Sequence, residues 1–187
     1  MRGFAASPSP EIDNADLTGL ALDLARWGAK SPGDLRWLNP PREAACRHAR
    51  GVLVSAGAMD ADGELTPLGK RIGDLALPPR LALMVLRAPN AQLAAEIAAL
   101  MSERDLGGRA ADADERLSRF RNENSQRARA MLDLAGRWAK SAGAGKASGT
   151  SAGAVLALGF PERIARARGG APGRFLLAGG RGAMLDE

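Results

Sequence analysis

The side chains that most often perform catalysis or bind metals are scarce in this sequence. Its 187 residues include one cysteine, Cys46, and one histidine, His48. A single cysteine cannot form an intramolecular disulfide, and this pair alone supplies too few ligands for a structural zinc ion. Cysteine-protease or serine-protease chemistry would require His48 as the general base, and no accompanying motif surrounds it. We therefore expect His48 to be structural or solvated, and we expect this chain alone to have no catalytic and no metal-binding residues.

Two short segments look like ligand-binding loops but lack the required residues. The glycine-rich residues 143–148 would need Gly at 140 and Ser or Thr at 147 to form a phosphate-binding loop, and the chain has Lys140 and Ala147 there. The acidic residues 60–64 begin like a calcium-binding loop, but later acidic ligands are not at the required spacing. A linker and a turn explain these two segments better.

Arginine dominates the charged residues. It accounts for 22 of the 26 basic side chains, and the formal net charge is +5. Residues 121–187 carry 11 basic and 5 acidic side chains, whereas residues 1–120 carry 15 and 16. The basic excess therefore lies in the C-terminal part, as expected of a segment that faces phosphates. Solvation and an arginine-rich genome would explain the same excess.

Aromatic residues are too few to form a surface on which bases stack. The chain has three Trp, four Phe and no Tyr, which argues against an RRM or a single-strand-binding OB surface. No apolar run approaches the roughly 18 residues that a membrane span needs, and no apolar segment follows Met1 and Arg2 as in a secretory signal. We therefore expect a cytoplasmic protein with no membrane partner.

The elements that would position these residues are mostly helices. Residues 1–10, which end in Ser-Pro-Ser-Pro, are predicted to be a linker. Apolar residues recur at three- and four-residue steps after Asn14 and indicate a helix that ends near Gly28. A second helix is predicted from about Pro41 to Ala56, followed by two short strands around a turn at residues 60–63. Two helices and a hairpin in this order are typical of a winged helix.

Further helices are predicted after this hairpin. Thr66-Pro67, Pro78-Pro79 and Asn90 each supply a start signal. Residues 111–135 contain neither Gly nor Pro, and their apolar spacing predicts one long helix. Asn124 falls on the packed seam of that helix, where its amide would need a buried partner.

The last part of the chain has simpler composition. Residues 141–153 are almost wholly Gly, Ala, Ser and Thr and are predicted to be a flexible loop. A final helix is predicted from Ala154 to about Ala167. Residues 174–178 are then predicted to form a strand, with no sheet for it to join.

Several motifs, read together, resemble the segment that follows the motor in DEAH/RHA helicases. Three of them lie in the first half of the chain: residues 35–41 (Leu-Arg-Trp-Leu-Asn-Pro-Pro), 63–69 (Gly-Glu-Leu-Thr-Pro-Leu-Gly) and 77–81 (Leu-Pro-Pro-Arg-Leu). Three more are similar to the bacterial HrpB branch: residues 99–105 (Ala-Leu-Met-Ser-Glu-Arg-Asp), 161–165 (Pro-Glu-Arg-Ile-Ala) and 173–183 (Gly-Arg-Phe-Leu-Leu-Ala-Gly-Gly-Arg-Gly-Ala). The resemblance extends from about Pro10 to Ala183. It departs from the family at Asn39, where Asp is common, and at Leu68, where His is frequent.

The resemblance implies a mainly α fold. It places a linker at residues 1–10, a winged-helix domain with a small β-hairpin at 11–89, and a helical, ratchet-like helicase-associated domain at 90–170. The flexible loop 141–153 lies within the second domain. Residues 171–187 would begin an incomplete OB-like region and supply its first strand, which would account for a strand without a sheet.

The resemblance also implies a function. The parent family couples ATP hydrolysis to RNA unwinding, but neither a Walker lysine loop nor an Asp-Glu-Ala-His motif is present in this sequence. The two RecA-like motor domains, which bind ATP and Mg²⁺ in the family, are therefore missing, and the chain looks like a fragment or a truncated reading frame. We expect a monomeric accessory region with no cofactor of its own, which docks to the motor and helps form the channel for single-stranded RNA, or for single-stranded DNA.

In the family, the long helix of the ratchet-like domain lines the floor of that channel. We hypothesise that five arginines contact phosphates without reading the base sequence, each adding roughly 0.7 to the slope of log affinity against log salt. They are Arg116, Arg119, Arg127, Arg174 and Arg181.

Two other functions fit parts of the sequence. A free winged-helix regulator would place the helix before the hairpin in the major groove of duplex DNA, with Arg42, Arg47, His48 and Arg50 as contacts. That helix begins with two prolines and Glu43, and no dimerisation element is evident. A scaffold that docks to a motor without contacting nucleic acid is the second alternative, and it would bind the motor without binding RNA.

Overall fold

The chain forms two compact units, Met1–Pro79 and Arg80–Glu187. The computed structural model describes residues 10–29, 31–143, 145, 147–169 and 173–185. The units divide between Pro79 and Arg80, whereas the sequence resemblance places the domain boundary at residue 89. No helix among the described residues is both long and apolar enough to cross a bilayer.

The described residues of the first unit form three α-helices and two short 3₁₀ turns. The 3₁₀ turns are Glu11–Asp13 and Pro32–Asp34, and the helices are α1 (Thr18–Arg26), α2 (Glu43–Ser55) and α3 (Pro67–Asp74). The predicted start of the first helix at Asn14 is wrong, because the backbone N–H of Thr18 bonds to Asp16 Oδ1 at 2.9 Å and the helix begins there.

The predicted hairpin contracts to a single antiparallel bridge between Met59 and Leu65. Backbone hydrogen bonds flank this bridge, from Asp60 N–H to the carbonyl of Glu64 at 2.9 Å and from Thr66 N–H to the carbonyl of Ala58 at 3.1 Å. The side chain of Asp60 closes the turn: its Oδ1 accepts hydrogen bonds from the backbone N–H groups of Asp62 at 3.0 Å and Glu64 at 2.8 Å. The segment is therefore a carboxylate-stabilised turn, which agrees with its interpretation as turn chemistry rather than a calcium loop.

Thr66 fixes the start of α3, as predicted. Its Oγ1 accepts a hydrogen bond from the backbone N–H of Gly69 at 3.1 Å and donates one to the carbonyl of Gly57 at 2.7 Å. We expect Thr66→Ala to lower the free energy of unfolding by about 1 kcal/mol, because it removes an N-cap. Urea unfolding followed by circular dichroism measures this change. Thr66→Ser keeps the hydroxyl and is the matched control, so equal losses in both variants would contradict the role of the cap.

The helices of the second unit pack around one almost fully buried helix, α5 (Ala91–Ser102). The other described helices of this unit are α4 (Pro79–Arg87), α6 (Ala113–Asn122), α7 (Gln126–Ala142) and α8 (Ala152–Gly159). α5 is apolar over most of its circumference, and α6, α7 and α8 all pack against it. The side chain of Asn90 begins α5 by accepting from the backbone N–H of Leu93 at 3.0 Å, as predicted.

The predicted long helix is wrong, because it breaks between Asn122 and Gln126. Ser125 ends the continuity: its Oγ accepts from the backbone N–H of Ala128 at 3.0 Å and caps a new helix. Asn124 lies in this break and is exposed, so its amide has no need of a buried partner. A serine whose side chain accepts from a backbone N–H three residues later is a helix start signal. The prediction overlooked this signal because the apolar spacing continues across it.

The predicted flexible loop 141–153 differs from the structure in its described residues. α7 continues to Ala142, and α8 begins at Ala152. Between them, the carbonyl of Gly145 accepts from the backbone N–H of Ala91 at 3.1 Å, and the backbone N–H of Ala147 donates to the carbonyl of Pro89 at 3.2 Å. These bonds hold part of the glycine-rich segment against the start of α5.

The last predicted helix is too long, and the final strand does have a sheet to join. α8 ends at Gly159, a 3₁₀ turn follows at Pro161–Arg163, and a three-stranded antiparallel sheet completes the described chain. Its strands are β1 (Ala165–Ala167), β2 (Arg174–Leu177) and β3 (Gly182–Met184), in the order β1-β2-β3. The predicted mainly α fold is confirmed, with this small sheet at its end.

Arg80 joins α4 to the turn that precedes the sheet. One of its NH groups donates to Glu162 Oε1 at 3.0 Å and to the carbonyl of Gly159 at 3.3 Å. Its guanidinium carbon lies 5.7 Å from the centre of the Phe160 ring, within the range of a cation–π contact. The motif at 77–81 and the motif at 161–165 are therefore in direct contact, although they are far apart in sequence.

Candidate nucleic-acid interface

Three of the five predicted phosphate-binding arginines lie around residues 103–109, called here the 103–109 loop. This loop is the first part of the segment that joins α5 to α6. Arg116 and Arg119 are on α6, and Arg127 is near the start of α7. The backbone of the loop is left-handed at Asp105, Gly107 and Gly108, with φ of 61°, 67° and 80°. Its shape therefore depends on two glycines and on contacts from the neighbouring helices.

Arg116 and Arg127 both hold this loop in place. The Arg116 guanidinium donates to the carbonyl of Leu106 at 3.1 Å, and its buried Nε has no hydrogen-bond partner among the described residues. Arg127 donates to the carbonyl of Arg104 at 2.9 Å and forms an ion pair with Glu103. A phosphate would have to compete with these bonds, so both side chains have a structural role that the sequence did not predict.

Arg119 is more available to a ligand. Its side chain is 57% exposed and forms an ion pair with Glu115 one turn earlier on α6. Exposed ion pairs of this kind contribute at most about 1 kcal/mol to the free energy of unfolding. A phosphate can therefore replace the Glu115 carboxylate as the partner of Arg119 at little cost in stability.

Arg174 and Arg181 lie apart from these three, on the small sheet. Arg174 begins β2 and is exposed. Arg181 lies in the turn between β2 and β3, where its carbonyl accepts from the backbone N–H of Leu177 at 2.9 Å. No contact recorded among the described residues links either of them to the 103–109 loop. The five predicted residues therefore form two groups.

Sequence reasoning missed two further arginines of the sheet, Arg166 and Arg168. Both are exposed, in β1 and directly after it. They were placed in a predicted helix that extended to Ala167. The alternation Ile-Ala-Arg-Ala-Arg at residues 164–168 has the period of two that is typical of a strand, and this signal could have identified them.

Two basic residues at the start of α2 form ion pairs within the first unit. Arg42 forms an ion pair with Asp13 at 3.1 Å, and Arg47 forms one with Glu43 at 2.7 Å. His48 is exposed, as expected for a solvated side chain. Burial raises the pKa of the Cys46 thiol, so this group is neutral and a poor nucleophile at physiological pH.

Nearly the whole chain is similar in sequence to a known helicase. The chain is 35% identical to the ATP-dependent RNA helicase HrpB of Escherichia coli K12 over 185 residues, which is 97% of this chain and 22% of HrpB. A shorter segment is 34% identical to the ATP-dependent RNA helicase DExH3 of Arabidopsis thaliana, covering 44% of this chain and 7% of that protein. No family model matches the chain.

Solved structures give the same result for the fold. Two crystal structures of E. coli HrpB superpose with TM-scores of 0.79 and 0.80, at 33% identity and over 97% of this chain. The chain covers 22% and 23% of those two structures. The resemblance to a region of the HrpB-type DEAH/RHA helicases is therefore confirmed, and the chain spans about a fifth of the length of HrpB.

Proposed function

We propose that this chain, which matches HrpB-type DEAH/RHA helicases over 97% of its length, is an accessory region of an ATP-dependent RNA helicase. In this proposal it docks to RecA-like motor domains and helps form the channel for the single strand. The observation that carries the proposal is that sequence identity and fold similarity to HrpB both extend across 97% of this chain. ATP and Mg²⁺ would be bound by the motor, because the motor motifs are not in this sequence.

Exposed apolar residues in the first unit support docking to another domain. Trp27 is 73% exposed and Leu38 is 97% exposed. When a partner covers large apolar side chains, the complex is stabilised by roughly 25 cal/mol for each Å² of apolar surface removed from water. Trp27 and Leu38 are therefore candidates for residues that the motor covers.

The charge of the second unit supports contact with RNA. The basic excess of residues 121–187 lies in this unit. Contacts to phosphates do not read the base sequence, and this suits a protein that must move along RNA.

Anisotropy titrations with single-stranded RNA and with duplex DNA of equal length, at several salt concentrations, test the proposal. We expect weak binding that prefers the single strand, is indifferent to its sequence and falls steeply with salt. Tighter, sequence-dependent binding to duplex DNA would favour the winged-helix regulator instead. Binding to neither nucleic acid would favour a docking scaffold.

A further inference from the structure

The register of the small sheet places three arginines on one of its faces. Arg166 is paired with Leu176, and Arg174 is paired with Met184. The ladder continues one step beyond β1, because the backbone N–H of Arg168 donates to the carbonyl of Arg174 at 2.9 Å. Paired residues of neighbouring strands share a face, and alternate residues of one strand share a face. Arg166, Arg168 and Arg174 therefore project from the same side, called here the arginine face.

Three arginines on one face lower the stability of the sheet when no ligand neutralises them. Arg168 and Arg174 are directly opposite each other, and like charges at opposed positions destabilise a sheet. Residues 163–185 contain five arginines and no Asp or Glu. Glu162, the acidic residue just before them, is bonded to Arg80. All three side chains are exposed, and they form no ion pair with any of the residues that the structure describes.

An apolar cavity lies next to the arginine face. Its volume is about 520 Å³. Apart from Arg163, its lining is apolar and consists of Met101, Gly153, Leu156, Ala157, Phe160 and Ile164. Ile164 is 55% exposed, and its carbonyl accepts from the backbone N–H of Ala178 at 2.7 Å, which extends the ladder by one pair before β1. Ile164 is two residues before Arg166, so the cavity opens beside the arginine face.

We propose that the arginine face and this cavity together bind single-stranded RNA: successive phosphates pair with Arg166, Arg168 and Arg174, and one unstacked base enters the cavity. This inference rests on the proposed function for its ligand and adds the residues that hold it. Arg166 and Arg168 are about 7 Å apart along the strand, close to the separation of neighbouring phosphates in an extended chain. One guanidinium group can donate two parallel hydrogen bonds to the oxygens of one phosphate, which favours arginine over lysine at these positions.

The first test replaces the charges. In anisotropy titrations of the full chain with single-stranded RNA, we expect R166Q/R168Q/R174Q to reduce the steepness of the fall of log affinity with log salt by about 2. If the wild type and the variant bind RNA equally at 1 M salt, this difference in slope corresponds to roughly 100-fold weaker binding by the variant at 0.1 M. The matched control is R36Q/R71Q/R87Q, which removes three exposed arginines outside the candidate interface and should leave the slope nearly unchanged.

The second test closes the cavity. Ala157 lines it, and Ala157→Phe would fill the space that the base needs. We expect about fivefold weaker binding with an unchanged salt slope, because the variant removes a base contact and no charge. Ala154→Phe on the same helix is the control, since Ala154 is exposed and does not line the cavity. Circular dichroism establishes that all variants keep their helices.

The outcomes separate this inference from the proposed function. If the wild-type chain binds RNA and the arginine-face variant behaves like its control, the site is wrong and the function stands. If the wild-type chain binds no single-stranded RNA, both are wrong. If poly-glutamate binds as tightly as RNA and the arginine-face variant loses both, an acidic protein segment is the partner and the RNA site is overturned.

Discussion

Gly107→Ala is expected to lower the free energy of unfolding of the second unit by about 3 kcal/mol. Gly107 has a φ of 67°, a region that costs a residue with a Cβ roughly 1–2 kcal/mol. An added Cβ would also lie 2.3 Å from the carbonyl oxygen of Arg116 and 3.1 Å from a methyl group of Leu100. Since the first of these atoms belongs to the backbone of α6, the helix itself must move. Urea unfolding followed by circular dichroism measures the loss.

Gly136→Ala is the matched control for this variant. Gly136 lies inside α7, and an added Cβ there meets no atom within 4 Å. Alanine favours a helix interior over glycine by roughly 0.5–1 kcal/mol, so this variant should be slightly more stable than the wild type. Equal unfolding midpoints for the two variants would show that the 103–109 loop does not need its left-handed glycine.

The second large effect concerns Glu96, a carboxylate buried on α5. It is 7% exposed, and its Oε2 accepts from the Arg121 guanidinium at 2.6 and 2.7 Å. Its Oε1 accepts from Gln92 Nε2 at 2.8 Å. Glu96→Gln leaves the Arg121 charge without its partner. Breaking a fully buried pair costs 3–5 kcal/mol, and because Arg121 is 48% exposed we expect a loss of about 2 kcal/mol.

Thermal and urea unfolding both measure this loss, and an exposed pair on the same unit supplies the comparison. Glu115→Gln breaks the ion pair with Arg119, whose two side chains are 49% and 57% exposed. We expect a loss below about 0.5 kcal/mol there. If Glu96→Gln is no more destabilising than Glu115→Gln, the buried pair does not fix α6 against α5.

Local signals predicted much of the fold because they act within a few residues. The caps at Thr66 and Asn90 were correct, since each needs only one side-chain oxygen and a backbone N–H three residues later. The break before Gln126 and the early end of α8 at Gly159 were missed. Before Gln126 apolar residues continue at helical spacing, and the hydrogen bond to Ser125 decides where the new helix begins. At the end of α8, Pro161 has no backbone N–H and disfavours a helical conformation at Phe160, a local signal that the prediction passed over.

The candidate site was harder to predict for a different physical reason. Arginine composition indicated contact with phosphates, but it could not distinguish an arginine that binds a ligand from one that binds its own chain. Arg116 and Arg127 are bonded to the 103–109 loop because that loop is left-handed and turns its carbonyl groups towards them. Arg166 and Arg168 became candidates only when the strand register placed them beside Arg174.

The central claim is that this chain works as the accessory region of an RNA helicase, and a domain replacement tests it most directly. The corresponding region of E. coli HrpB is exchanged for this chain, and RNA unwinding is measured beside ATP hydrolysis, which reports a folded motor. We predict that the chimera unwinds RNA and that HrpB lacking the region does not. A chimera that hydrolyses ATP, keeps the helical circular dichroism signal and still fails to unwind RNA would contradict the account.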